Sequence, residues 1–498
     1  YWEEDPEAAV KALNTCYTYL GNMDEQLYCE AMTDNAYTKQ PNDFTQNIGN
    51  GSYSTADSYV KQVWDGRYTG IRMCNQLLEN IDRVPDLDPE LKKRYIGEAK
   101  VLRAYSYYEL YTKFGDIPYT TKVLSIKESM SIARTAKATV IVNILADLDE
   151  VINGNYLPTS YDADNKGRIT RWAAMAIKAK IYLFEGNWTQ VKNITSTIMT
   201  EGGFKLFGSY AGLFEIANEY NSEVILDAQY RPTSREHQMM YVFLPPTLGG
   251  YSQLSPLQEL VDSYIMLDGK TIKETGTSFD ESHPYANRDP RLKATVMYTG
   301  NSYTLADGTE VVINCEKGEG KDGYGVGSDC SATGYYIKKY WDNTYRATLY
   351  SGLNPILIRY ADILLMNAEA LAELGELDKT AWDATIKPIR NRAGFTLASA
   401  LEFPEGASKD KLIEIVRNER RSELALEGHR HKDIIRWRIA DNVLNGWCHG
   451  LKTNDVVGTD DGYVRVENRT FNANRHYLWP IPQAERDLNG NLEQNPNW

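Results

Sequence analysis

Apolar side chains at Trp64, Tyr68, Ile71, Met73, Leu77, Leu78 and Ile81 recur at helical spacing, and the pattern stops at Val84-Pro85. A second helix is predicted to start after Asp88-Pro89, because proline suits a first turn and acids favour a helix N-terminus. It runs to Gly115, with Pro118 beyond it. A third covers roughly 137–153, and Thr170 is placed to cap a fourth that ends at Gly186. Helical spacing assigns Trp64 and Trp172 to the core. From 201 to about 350 the character changes: Gly and Pro become frequent and helical periodicity weakens. Short β-like runs stand at 223–230, 292–298, 310–316 and 334–341, with one helix near 256–266. Helices resume at about 355, then over 379–393 and 409–428, and the tail from about 446 is irregular. The chain thus divides into a helical region 1–200, a loop-rich insertion 201–354 with short strands, and a C-terminal region 355–498.

Two helical segments resemble each other. AKIYLFEGNW (179–188) aligns with AEALAELGEL (368–377): alanine, glycine seven residues on, then another helix. That is the tetratricopeptide (TPR) pattern, in which small residues let paired helices approach and glycine turns the chain between them. Residues 99–115 form a looser third copy. Two ordinary helical hairpins would leave the same trace.

Charge narrows the partners. The sum 54 − 68 = −14, without a Lys/Arg-rich run, disfavours nucleic acid and anionic lipid surfaces. No apolar stretch approaches the roughly 18 residues of a membrane span. The chain starts at Tyr1 rather than Met, which reads as the mark of a removed upstream segment. Tyrosine outnumbers phenylalanine 35 to 11, a bias that suits wet contact surfaces as well as cores. The six cysteines show no CxxC spacing, which excludes zinc ribbons and thioredoxin-like motifs.

Motifs for chemistry are weak. GEGKDG (318–323) matches GxGxxG, but no helical pattern follows to meet a pyrophosphate. DADNKG (162–167) starts like a calcium loop, yet Lys166 and Ala173 stand where ligands are needed, so it reads as a turn. His429 and His431 sit beside Arg430 and Lys432 and read as a solvated or ion-paired cluster. The run RNERRSELALEGHRHKD (417–433) reads as an Arg/Glu network that locks helices together, an anion site being the alternative.

Nine segments in order resemble the SusD/RagB family of outer-membrane nutrient-binding lipoproteins, spread over nearly the whole chain. They include CNQLLENID (74–82), RAYSYYELYTKFGDIPY (103–119), RWAAMAIKAKIYLFEGNW (171–188), DPRLKATV (289–296) and GYYIKKYWD (334–342). PILIRYADILLMNAEALAELG (355–375), IRNRAGF (389–395), ERRSELALEGHRHKDIIRW (419–437) and the tail YLWPIPQAERDLNGNLEQNPNW (477–498) complete the set. The tail departs from the family by carrying Asn497 where glycine follows the proline; asparagine tolerates the left-handed conformation that such a turn needs. The resemblance implies a mainly α fold of four TPR-like helix pairs in a superhelix, with an irregular α/β, loop-rich part packed against it. It implies a cell-surface location on the outer membrane of a Gram-negative bacterium, through an N-terminal lipid anchor missing from this chain. It implies a lid over a SusC-like TonB-dependent β-barrel, to which oligosaccharides or peptides are passed. Neither catalysis nor a cofactor or metal is implied.

Sugar faces stack on aromatic rings while their hydroxyls need polar partners, so the long irregular aromatic-bearing stretches 36–59 and 232–256 are the candidate binding loops. They carry Tyr37, Phe44, Tyr53, Tyr241, Phe243 and Tyr251 as platform residues, with Asn42, Asn50 and Gln253 as polar helpers. Cys315 and Cys330 bracket fourteen residues with five glycines; a hairpin between the flanking β-like runs would bring them together as a disulfide. A peptide-binding TPR adaptor and, behind it, a glycoside hydrolase are the alternative functions.

Overall fold

The computed structural model describes residues 2–39, 45–453 and 459–498. Its main helices are α1 (Ala8–Tyr17), α2 (Met23–Tyr28), α3 (Ser58–Asn80), α4 (Pro89–Phe114), α5 (Lys137–Asn153), α6 (Arg171–Phe184) and α7 (Trp188–Glu201). After the loop-rich segment, which holds the short α8 (Gln258–Ser263), come α9 (Tyr360–Leu374), α10 (Ile386–Ala393), α11 (Lys409–Glu423) and α12 (Arg430–Arg436). The starts follow the sequence. Asp88 accepts the N–H groups of Glu90 and Leu91 at 3.0 Å, and Thr170 accepts that of Ala173 at 3.2 Å. α4 ends at Gly115, whose φ of 72° suits a residue without Cβ.

The helices form neighbouring pairs: α3 with α4, α5 with α6, α7 with α9, and α10 with α11. The first three pairs share a core that includes Trp64, Leu102, Ile144, Trp172, Ile177, Val191 and Ile363, while Ile386, Ile389, Leu412 and Val416 of α10 and α11 pack with Leu364 and Leu365 of α9 in a second cluster. The third pair is closed across the whole segment 202–359, and Asn367 of α9 donates to the hydroxyls of Thr195 and Ser196 of α7 at 3.0 and 3.1 Å. The loop-rich part has its own core around Phe214, Phe243, Leu254, Tyr264 and Tyr336. Its strands are short and antiparallel: β1 (Ala36–Thr38) with β3 (Leu254–Pro256), β2 (Val224–Asp227) with β8 (Ile356–Arg359), β4 (Val296–Met297) with β7 (Tyr336–Ile337), and β5 (Ser302–Thr304) with β6 (Glu310–Val312). A sheet of order β10-β11-β9 lies near the C-terminus, formed by β9 (Gly446–Lys452), β10 (Thr459–Asp460) and β11 (Tyr463–Arg469). Among the described residues no helix is long and apolar enough to cross a membrane.

Several local expectations are corrected. Residues 292–298 are half helix, because Asp289 caps and Pro290 opens a turn before β4. The 379–393 run is two helices split at Thr385. Of the two readings of the 429–432 cluster the ion-paired one holds, with Arg430 meeting Asp34 and Lys432 meeting Glu109, both at 2.8 Å; His431 is buried and His429 largely so, and burial holds both ring pKa values down to about 3. Asn497 adopts φ 67°, the left-handed conformation expected of the tail.

The 417–433 segment does build an ion-pair network. Glu423 meets Arg291 at 2.9 Å, Arg359 at 2.6 Å, and Arg392. Arg359 also reaches Glu223 and Glu427, both at 2.7 Å; Lys339 reaches Glu427, and Arg390 reaches Glu419. With Asp289 beside Arg291, five cations face five carboxylates in the interior. The network ties β2, β8, α10 and α11 at the junction of the helical and loop-rich parts.

The expected Cys315–Cys330 bridge is not formed; both are buried free thiols. Its premise was a hairpin between the flanking runs, whereas β6 pairs with β5 and β7 with β4. The glycine-rich loop is ordered by other contacts: Tyr324 N–H donates to the Cys315 carbonyl at 3.1 Å, and Cys330 Sγ–H to that of Lys321 at 3.3 Å. Iodoacetamide mapping of the unfolded, unreduced protein is expected to label both residues; a disulfide-linked peptide pair would contradict this.

A second expected outcome concerns β9. His449 lies between Glu259 Oε1 of α8 at 2.7 Å and Asp460 Oδ2 of β10 at 2.8 Å. Hydrogen bonding to Glu259, then to Asp460, raises its pKa to about 9 against partial burial. A raised histidine stabilises the fold fully below its unfolded pKa near 6.5, and the contribution is lost as pH rises through about 9. Proteolytic nicking of 446–469 is therefore expected to quicken between pH 7 and 9.5 in the wild type but not in His449→Gln; equal profiles would refute the latch.

Candidate functional site

A cleft of about 590 Å³ opens between the α1–α2 turn, one face of α3 and the segment 230–251. That volume falls within the about 300–1,000 Å³ of small-molecule sites. Asn22 starts α2 by accepting the Glu25 N–H at 2.7 Å. Arg67 holds the turn from below: its Nη1 donates to the carbonyls of Tyr19 and Leu20 at 2.9 and 3.2 Å, and its Nη2 pairs with Glu25. Tyr59, Gln62, Val63 and Gly66 line the α3 wall, and a Cβ added at Gly66 would meet nothing within 4 Å. Opposite them, Tyr230 takes the Met23 N–H on its hydroxyl at 3.4 Å and packs edge-on to His237, with the Arg235 guanidinium 4.8 Å from its ring centre. Tyr251 stands at the rim with 38% of its surface exposed, so its ring is within reach of a solute.

Five tyrosines (19, 28, 59, 230 and 251) thus line one cavity, interleaved with amides and acids. Asp24, Glu25 and Glu236 outnumber Arg67, so the walls repel anions. Burial raises Asp24. Burial also holds His237 down to about 4, so its ring is neutral at pH 7. Its Nε2 lies 3.2 Å from the Leu353 carbonyl, which assigns the proton to that nitrogen and leaves Nδ1 a buried acceptor without a hydrogen bond. Rings for apolar faces and scattered donors and acceptors for hydroxyls are what a sugar requires. Among the described residues no group of three His, Cys, Asp or Glu is placed to hold a metal ion.

Of the nine residues expected from sequence, the cleft takes up Tyr251. Asn42 and Phe44 lie outside the described residues. Phe243 is buried in the loop-rich core, and Tyr53 packs 4.8 Å from Trp498 and 5.2 Å from His476, fastening the tail; neither is a platform. Gln253 is buried and its N–H donates to the Val242 carbonyl. Tyr37 is half-buried in β1 beside Gln46, and Asn50 donates to Glu467 at 3.3 Å. Tyr241 packs 6.0 Å from Tyr350 and accepts the Tyr251 N–H on its carbonyl, so it supports the rim. Tyr19, Tyr28, Tyr59, Tyr230, Arg67 and His237 were not anticipated. The α3 row Tyr59–Gln62–Gly66 was the available signal, but a tyrosine at helical spacing reads equally as core.

Comparison with known proteins agrees with this architecture. Residues 9–183 match a family described as starch-binding associating with outer membrane, and residues 213–498 match the SusD family. The SusD-like protein P25 of Formosa agariphila is 27% identical over 409 residues, which cover 77% of this chain and 71% of that protein. A SusD-like carbohydrate binding protein from Bacteroides fragilis superposes with a TM-score of 0.86 at 28% identity, covering 99% of both chains. A laminarin binding SusD-like protein shares the fold with a TM-score of 0.74 at 24% identity, covering 100% of both chains. Matched over more than half its length by one family and superposable end to end on that family's structures, the chain belongs to the SusD family.

Proposed function

We propose that this protein captures neutral oligosaccharides in the tyrosine-lined cleft at the cell surface and delivers them to a SusC-like TonB-dependent β-barrel, without cleaving them. The observation that carries the reading is the cleft: five tyrosines and uncharged polar groups, with carboxylates in excess. The names of the similar proteins, which speak of binding rather than turnover, support it. Anchoring to the outer membrane rests on the family description, starch-binding associating with outer membrane. Two rings stacked on a sugar bury roughly 120 Å² of apolar area, about 3 kcal/mol or a hundredfold in affinity. That strength alone suits a protein that must release its ligand, with hydrogen bonds adding the rest. The test is gel retardation by four neutral polysaccharides (laminarin, starch, xyloglucan and galactomannan) and two anionic ones (polygalacturonate and carrageenan). Retardation by at least one neutral polymer and by neither anionic one is expected, falling about a hundredfold in Tyr230→Ala/Tyr251→Ala. No retardation, full retention by the double variant, or shorter products on chromatography would overturn the reading.

A further inference from the structure

A second groove, of about 440 Å³, lies between α8, α11 and the start of β9, away from the tyrosine cleft. Trp447 lines it, with 42% of its surface exposed. Of the exposed large apolar side chains among the described residues it is the one tryptophan, and it lines a groove rather than open surface. It is not a loose end. Trp447 sits in β9 opposite Asn468 of β11, its neighbour Cys448 points into the interior, and Arg465 places its guanidinium 5.3 Å from the ring centre. The His449 latch fixes the same strand two residues on. The ring is therefore held in place, and the surface left to it belongs to the groove.

The other lining groups are polar and balanced. Asp34, Glu259 and Asp262 stand against Lys273, Arg421 and Arg469, and most of these are committed: Asp34 to Arg421 and Arg430, Glu259 to His449, Arg469 to backbone carbonyls. The exposed side chains of Lys273 and Asn442 carry no hydrogen bond or ion pair among the described residues, and Asn418 is fixed by donating to the Ser263 carbonyl at 3.0 Å. A groove without net charge, with one fixed indole and uncommitted donors beside it, matches a neutral sugar: C–H faces on the ring, hydroxyls on the amine and amide.

We infer that this groove is a second saccharide-binding site, centred on Trp447, which lets one polysaccharide chain be held at two points. The inference rests on the glycan reading of the cleft. It adds avidity: two weak contacts on one polymer exceed either alone, while a short oligosaccharide at one site gains nothing.

The protein is labelled with 5-fluorotryptophan, the Trp447 resonance is assigned by Trp447→Phe, and the four neutral polysaccharides are titrated in turn. The Trp447 signal is expected to move with a polymer that retards the protein in gels, and to move still in Tyr230→Ala/Tyr251→Ala. Trp447→Ala is expected to weaken retardation by that polymer about tenfold at an unchanged melting temperature, with Trp447→Phe in between, and to leave binding of its trisaccharide unchanged. A Trp447 signal that stays fixed while the polymer binds overturns the second site and leaves the cleft reading intact. Failure of all four polymers to bind overturns both.

Discussion

Glu423→Ala is expected to lower folding stability by about 3–5 kcal/mol, the cost of removing one partner from a buried ion network. Glu423 is fully buried and, among the described residues, is the one carboxylate met by Arg291, Arg359 and Arg392 together. Its loss leaves Arg392 facing Glu223, Arg359 sharing Glu223 and Glu427, and surplus positive charge with no route to water. Glu423→Gln keeps the volume and one acceptor and should cost less, which separates charge from packing. Urea denaturation measures both; midpoints for the alanine variant equal to wild type would show the network to be energetically idle. The pH dependence has a definite sign. Burial would raise Glu423, but the guanidiniums of Arg392, Arg359 and Arg291 outweigh it and hold the pKa down to about 2. A depressed carboxylate stabilises above its unfolded value near 4.3 and loses that contribution as pH falls toward 2. Acid unfolding of the wild type is expected in that window, and its steepness should fall in Glu423→Gln.

Arg67→Met is expected to cost about 3 kcal/mol and to weaken glycan binding at least about tenfold. Three hydrogen bonds vanish, two of them to the carbonyls of Tyr19 and Leu20 and one to Glu25. A charged hydrogen bond is worth about 1.5–3 kcal/mol, and methionine's volume leaves packing largely intact. Arg67 is a positioning residue: its bonds face the turn that presents Tyr19 and Asn22. Arg67→Lys keeps the charge but not the fork, so it should recover part of the stability and less of the affinity. Calorimetric titration with the retarding glycan, at a temperature where the variant is folded, checks it. Unchanged affinity in a destabilised variant would mean the α1–α2 wall takes no part in binding.

The helical half was readable because its signals are local. Asp88-Pro89, Thr170 and Gly115 declare helix ends by their own chemistry, and Trp64 and Trp172 fall on apolar stripes that are buried as expected. Asn497 likewise took the backbone conformation that its side chain permits. The middle segment resisted, because its strands are two to four residues long and pair with partners chosen by the tertiary fold. The β-like runs around Cys315 and Cys330 are real strands that pair elsewhere. The site failed in a similar way. Tyr53, Phe243 and Tyr251 look alike in sequence, and only the packing of Trp498 and of the loop-rich core turns two rings inward and leaves one out. Arg67 and His237 act through backbone carbonyls, which no side-chain pattern announces.

The pairing of α7 with α9 has a kinetic side. Joining helices across 202–359 closes a loop whose entropy cost is about 3 kcal/mol beyond that of an immediate neighbour, and contacts so distant in sequence slow folding. Until residues 360–374 arrive, α7 packs on α6 alone, and the face that α9 covers stands open. A nascent chain halted anywhere in the intervening segment therefore carries an open apolar helix face. The interval during which it needs protection from aggregation is set by the length of that segment rather than by the helices on either side.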